Sequence, residues 1–236
     1  MRRRISICEM MLCAIFCTLF LILSCTLAVG AASKVHVIAF GKWMSTQWSP
    51  GMADDKALTL KVRALMVDGR IREYATGLPH EVTDRLFVVR RAFRVNDSLP
   101  EELEARWRWQ RGGWLLVDRL TGRISPINLP EFDAFYSAAS WYRDYVAYCG
   151  VSDDGKKTYA MVAQISRRKP VLKKALSNDG LADDAGPDSA CPVPAWQRGP
   201  VRVSFEAAGG AKQTFSIRGH VVDLVNDAEE EDEGSQ

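Results

Sequence analysis

An all-β fold is predicted by three observations on this 236-residue chain. Helical periodicity is almost absent, short runs of β-branched and aromatic residues recur throughout, and Gly, Pro, Asn and Asp bound nearly every run. The turn glycines Gly69, Gly113 and Gly155 stand about 40–45 residues apart, the period of propeller blades, and a longer interval to Gly210 contains the low-complexity stretch 177–189. The expectation is a small or partial β-propeller-like meander, with a β-sandwich or barrel as the alternative.

Residues 1–32 precede the fold and read as a secretory signal peptide. Arg2, Arg3 and Arg4 form a basic leader, residues 5–29 are apolar apart from Glu9 and a few small polar side chains, and Gly30, Ala31 and Ala32 supply the small residues that signal peptidase accepts. Two other readings start from the same run. It approaches the ~20 apolar residues of a membrane span and could stay as an uncleaved anchor, or Cys25 could be acylated.

The mature chain opens with a strand at 35–40. Residues 58–65 alternate apolar with polar and meet the turn Asp68-Gly69, from which 71–74 returns. Another strand at 86–95 sends Arg90 and Arg94 to one face and Arg91, beside Phe93 and Val95, to the other. Residues 101–104 hold at most one helical turn. Residues 107–109, 114–117 and 123–127 read as a three-strand meander turned at Gly112-Gly113 and Thr121-Gly122. Two more hairpins follow, 145–149 with 159–165 around Asp154-Gly155, and 201–205 with 214–217 around Gly209-Gly210, because these dipeptides tolerate the positive φ of primed turns. Residues 33–225 thus make one β-rich domain with a flexible loop at 177–190. The acidic stretch 226–236 has no apolar side chain larger than alanine and reads as a disordered tail.

With 31 Lys and Arg against 29 Asp and Glu, and only a mild, scattered basic excess in the body, no nucleic-acid partner is predicted. Cys8, Cys13, Cys17 and Cys25 lie in the signal, leaving Cys149 and Cys191. An isolated pair in an oxidising compartment predicts a disulfide, the alternative being a buried thiol and a loop thiol.

Gly150-Val151-Ser152-Asp153-Asp154-Gly155-Lys156-Lys157 matches a phosphate-binding loop up to its end, where Lys157 replaces the magnesium-holding Ser or Thr. Its aspartates would repel phosphate and its flanks read strand–turn–strand, so a hairpin is expected instead. His36, His80 and His220 are the available imidazole bases, yet no Gly-x-Ser-x-Gly surrounds a serine. His-Glu-x-x-His and Cys-x-x-Cys are absent, and the pairs Asp54-Asp55 and Asp183-Asp184 lack the spacing of a calcium loop. Neither a metal nor a cofactor is predicted.

Seven tryptophans are the compositional excess. Trp107 and Trp109 share one face of a strand while Arg106 and Arg108 share the other, and the rings either fill the core or form a stacking platform. Trp43 and Trp48, beside the loop residues 49–51, are expected to be exposed. Trp43, Trp48, Trp107, Trp109, Arg106 and Arg108 are therefore the candidate binding residues of a non-catalytic exported scaffold. Its partner would be a protein or glycan of the cell envelope, with membrane contact only through an uncleaved N-terminal segment. The rival reading is an exported hydrolase with an unrecognised site, using His36 or His220 as base.

The runs 33–43, 83–91, 107–114 and 139–145 resemble a set of uncharacterised exported proteins of acidobacterial type, over nearly the whole mature chain. That resemblance implies export and a periplasmic or extracellular location, but no activity, so it transfers no site residue. The run 152–159, Ser-Asp-Asp-Gly-Lys-Lys-Thr-Tyr, is similar to the blade turn of TolB-like propellers, which implies a propeller-like fold.

Overall fold

Asp68 and Gly69 both adopt positive φ, 52° and 75°, the geometry of a primed two-residue turn whose twist matches the strands it joins. They link β3 (Leu58–Val67) to β4 (Arg70–Glu81) as an antiparallel hairpin. A computed structural model describes residues 35–48, 58–101, 103–134, 137–154, 157–176, 191–206, 212–218 and 221–225. These contain fifteen strands and no helix, so the all-β expectation is borne out. The expected signal peptide at 1–32 with Cys25, the loop at 177–190, the tail at 226–236, the pairs Asp54-Asp55 and Asp183-Asp184, and His220 lie outside the described residues.

From His36 onward the described residues form one compact unit built of three antiparallel sheets. The first contains β1 (Ile38–Phe40), β2 (Met44–Trp48), β3, β4, β5 (Leu86–Asn96), β6 (Trp107–Asp118) and β7 (Ile124–Ile127). Its order is β1-β3-β4-β5-β6-β7, with β2 paired to the other half of β3. The second sheet is the meander β8 (Ala139–Tyr142), β9 (Tyr145–Val151), β10 (Thr158–Gln164) and β11 (Leu172–Ala175). The third is the meander β12 (Ala195–Arg198), β13 (Val201–Glu206), β14 (Lys212–Arg218) and β15 (Val221–Val225).

Burial patterns state the layer order. Residues 146–150 and 160–163 are buried without alternation, the mark of strands covered on both faces. On one face of the second sheet, Val146, Tyr148 and Met161 pack against Leu129 and Phe132 of the connection leading out of the first. On the other, Ala147, Cys149, Ala160 and Val162 pack against Val203, Phe205, Phe215 and Ile217 of the third. Strand β13 of the third sheet does alternate. Arg202 and Ser204 leave on its far side, where the Ser204 and Thr214 hydroxyls bond at 2.9 Å, and the stack ends there.

The first sheet encloses its own core. Its ladder shifts register in β3–β4, β4–β5 and β5–β6, and such bulges bend a sheet and increase its twist. Leu65, Ala75, Phe87, Val89, Leu115 and Val117 are buried inside the curl, with Ile38, Phe40 and Ile124 covering them from the edges. A Cβ on Gly122 would stand 2.9 Å from both the His36 ring and Val67, so the β6–β7 turn touches the start of β1. Among the described residues no ladder closes the sheet into a barrel.

One expectation is corrected here. Gly112 and Gly113 make no turn; they lie inside the continuous β6, facing Arg91 where pairing steps from Arg90–Trp114 to Ala92–Arg111. A Cβ on Gly112 would come within 3.2 Å of the Arg91 Cβ, so the glycine serves a close approach and not a chain reversal. The regular spacing of turn glycines therefore has no structural counterpart at Gly113, and the sheets hold seven, four and four strands.

Asp118 ends β6 and fastens that corner. The Nε and Nη2 of Arg85 donate to its two oxygens at 2.8 and 2.5 Å, and the Leu120 N–H donates at 2.9 Å. The bound Arg85 holds the Asp118 carboxyl well below the usual carboxylate range. A lowered folded-state pKa stabilises above the unfolded value of about 3.9 and loses that contribution as pH falls towards the folded one. Asp118→Asn should thus lower the thermal midpoint at neutral pH, with the gap to wild type shrinking below about pH 4. A gap that stays constant on acidification contradicts this.

Candidate functional site

Trp43 and Trp48 are five positions apart, so an extended chain sends them to opposite faces. Trp48 is only 5% exposed, against expectation. Its indole N–H donates to Gln110 Oε1 at 3.1 Å, and the Arg111 guanidinium lies 3.9 Å from the ring centre. The reason is tertiary: β2 pairs with β3 and also approaches β6, which covers the ring.

Trp107 and Trp109 share a face, as the strand period requires. Arg94 lies 5.7 and 5.5 Å from their ring centres, and Trp109 meets Tyr74 edge-on at 5.0 Å. Trp107 is 58% exposed. Arg106 and Arg108 do not form a free cationic side. Arg108 Nε sits 2.8 Å from Asp97 Oδ2, and Arg106 Nη2 donates to the Asp97 carbonyl at 2.9 Å. The register from Trp109 through Arg94, Ala92, Tyr74, Ala64 and Val62 ends at Met44. Trp107 and Trp109 therefore lie on the face opposite to Trp43, and the six candidate residues do not make one surface.

Around Trp43 a groove forms from residues the sequence did not single out. The alternation of β3 puts Lys61 and Arg63 on one face, and Ser45 pairs with Lys61 across the ladder. On the neighbouring strand, β4 bulges between Thr76 and His80. Gly77 turns the chain there at φ +73°, a conformation open to glycine without steric cost, and Leu78 stands 79% exposed. Trp43, Ser45, Lys61, Gly77 and Leu78 line a groove of about 470 Å³.

Arg63 packs on Trp43, one of the residues that line this groove. Its guanidinium carbon lies 4.3 Å from the Trp43 ring centre and 3.8 Å from that of Phe40, and Nη2 makes a long contact of 3.5 Å to the Gly77 carbonyl. Cation–π contacts of this kind contribute about 0.5–2 kcal/mol and fix the indole, which keeps 44% of its surface exposed. Burial lowers the Arg63 pKa, yet a guanidinium stays charged in any protein. Neither Lys61 nor Arg63 pairs with a carboxylate among the described residues. The groove thus offers a held aromatic plane, an ammonium, a hydroxyl and an apolar rim.

The two described histidines hold structure together. His36 Nδ1–H donates to Asp68 Oδ2 at 2.9 Å while Asp68 Oδ1 accepts the Val37 N–H at 3.1 Å, pinning β1 to the β3–β4 turn. His80 Nε2–H donates to the Arg143 carbonyl at 2.8 Å, and its ring stacks on Trp141 at 6.0 Å. Among the described residues no serine or threonine hydroxyl bonds to either ring, and no group of three His, Cys, Asp or Glu is placed to hold a metal.

The loop-like run 150–157 joins two paired strands, as expected: β9 pairs antiparallel with β10, and the Ser152 N–H donates to the Lys157 carbonyl at 2.9 Å. Between the first and second sheets, Arg90 donates from Nη2 to the Ala134 carbonyl at 2.6 Å; burial and the charge of Arg111 push its pKa down to about 10. The sulfurs of Cys149 and Cys191 are at bonding distance, with Cα atoms 6.2 Å apart, so the predicted pairing is present. Comparison with protein-family models, with curated proteins and with solved structures finds no match for this chain.

Proposed function

We propose that this protein is an exported, non-catalytic β-scaffold that binds a glycan in the Trp43 groove. The observation that carries the reading is Trp43 itself, half-exposed and clamped by Arg63 beside the donors Ser45 and Lys61. A sugar ring presents an apolar C–H face to such an indole and its hydroxyls to the donors around it. Because Lys61 and Arg63 carry unpaired positive charge, carboxylated or sulfated glycans are favoured over neutral ones. The leader-like 1–32 segment supports export, and the Cys149–Cys191 pair suits an oxidising compartment. An N-terminal membrane anchor is the alternative placement, separated by the N-terminal sequence of the native protein.

A glycan array probed with wild type and Trp43→Ala tests the reading. Loss of a buried aromatic anchor costs about 2 kcal/mol or more, roughly thirtyfold in affinity, whereas Trp107→Ala on the other face should leave binding unchanged. Equal binding by wild type and Trp43→Ala would remove the proposal.

A further inference from the structure

The chain carries a second groove, remote in sequence from Trp43, at the junction of the first and second sheets. It holds about 400 Å³ between β7, the connection that follows it, and the turn from β10 to β11. Its walls include Pro126, Ile127, Leu129, Pro130, Ile165 and Pro170. Proline contributes apolar surface without an N–H, so three prolines give walls that an apolar group can cover without stranding backbone donors. Their fixed φ also limits the entropy lost when a ligand enters.

The rim is cationic. Arg167, Arg168 and Lys169 follow one another along the lip, all exposed. The Arg167 N–H closes the turn onto the Gln164 carbonyl at 2.9 Å. No carboxylate pairs with any of the three among the described residues. Asp144, the acid bonded to this turn, already accepts from Gln164 Nε2 at 2.7 Å, and its carbonyl accepts the Ile165 N–H at 3.1 Å. A trough with these apolar walls, lined also by Asn128 and Gln164 and ending in three unneutralised charges, fits a ligand with an apolar chain and an anionic head. Addition of a peptide strand along β7 is disfavoured, because Pro126 removes a donor from that edge.

We infer that this groove binds a medium-chain carboxylate amphiphile, its chain along Pro126, Ile127 and Ile165 and its head at Arg167, Arg168 and Lys169. The site is independent of the glycan reading and stands or falls without it. Calorimetric titration of the purified full chain with decanoate, octanoate, acetate and decanol is the test. Decanoate should bind at one site per chain, about tenfold tighter than octanoate, since two further methylenes leave water. Acetate should not bind measurably, and decanol should bind about tenfold more weakly than decanoate for want of a charge. The triple variant Arg167→Gln, Arg168→Gln, Lys169→Gln should weaken decanoate about tenfold while leaving decanol unchanged. Should that variant melt early, the single exposed change Arg168→Glu gives the same comparison. Equal affinity for decanol and decanoate, wild-type decanoate binding by the charge variants, or binding to anionic vesicles but not to free decanoate would each overturn the inference.

Discussion

Replacing Cys149 with Ala and Cys191 with Ser should destabilise the fold by about 4 kcal/mol in the chain-entropy account of cross-links. The bond spans 42 residues of sequence, and breaking it frees that loop in the unfolded chain. In a chain of this size the thermal midpoint should fall by about 8–16 °C. The denaturant slope supplies a second signature, because an unconstrained unfolded chain exposes more surface, so the urea m-value should rise as the midpoint falls. Cys149 lies in the core between the second and third sheets, whereas Cys191 starts the segment that enters β12. The cross-link therefore ties the beginning of the third sheet to the centre of the second. Urea melts of oxidised wild type and the double variant that coincide in midpoint would refute this account.

Phe205→Ala should cost about 3–5 kcal/mol, the range for deleting a fully buried aromatic. Phe205 is 0% exposed, meets Phe215 edge-on at 6.0 Å, and fills the same core as Cys149. Leu224 belongs to the same sheet but is 50% exposed, so Leu224→Ala should change stability by less than about 1 kcal/mol. The contrast asks whether the third sheet packs on the second through this face. Similar losses for both variants would deny the layering. Because Phe205 and Cys149 share a core, combining the changes should cost less than the sum of the two.

Several elements were legible because their causes are local. Asp68-Gly69 specifies a primed turn, the alternation of residues 58–65 specifies one face of β3, and Asp154-Gly155 marks the β9–β10 connection. The pairing of Cys149 with Cys191 followed from there being no other partner once 1–32 is set aside. Strand β2 was not legible: its sequence, Met-Ser-Thr-Gln-Trp, sits beside the Ser-Pro-Gly run that argued for a loop. Missing it hid the groove, because Ser45 and Trp43 meet Lys61 and Arg63 only through that pairing. The separation of Arg106 and Arg108 from the Trp107–Trp109 face was read correctly from period two. That Asp97 neutralises both cations depends on the approach of β5 to β6, which no local pattern records.

Gly112-Gly113 states the limit most plainly. Two glycines suit a reversal and a bulge equally, and the ladder between β5 and β6, running from Leu86–Asp118 to Asn96–Trp107, selected the bulge. The sequence alone determined the Asp68-Gly69 turn and which side chains share a face along strands such as β3 and β5. These depend on φ/ψ preference and on alternation along a single strand. The tertiary structure alone decided what covers each face, burying Trp48, leaving Trp43 on a groove and leaving Arg167, Arg168 and Lys169 without counter-charge. Burial and neutralisation are properties of pairs of segments brought together across the chain, and a one-dimensional pattern carries only half of each pair.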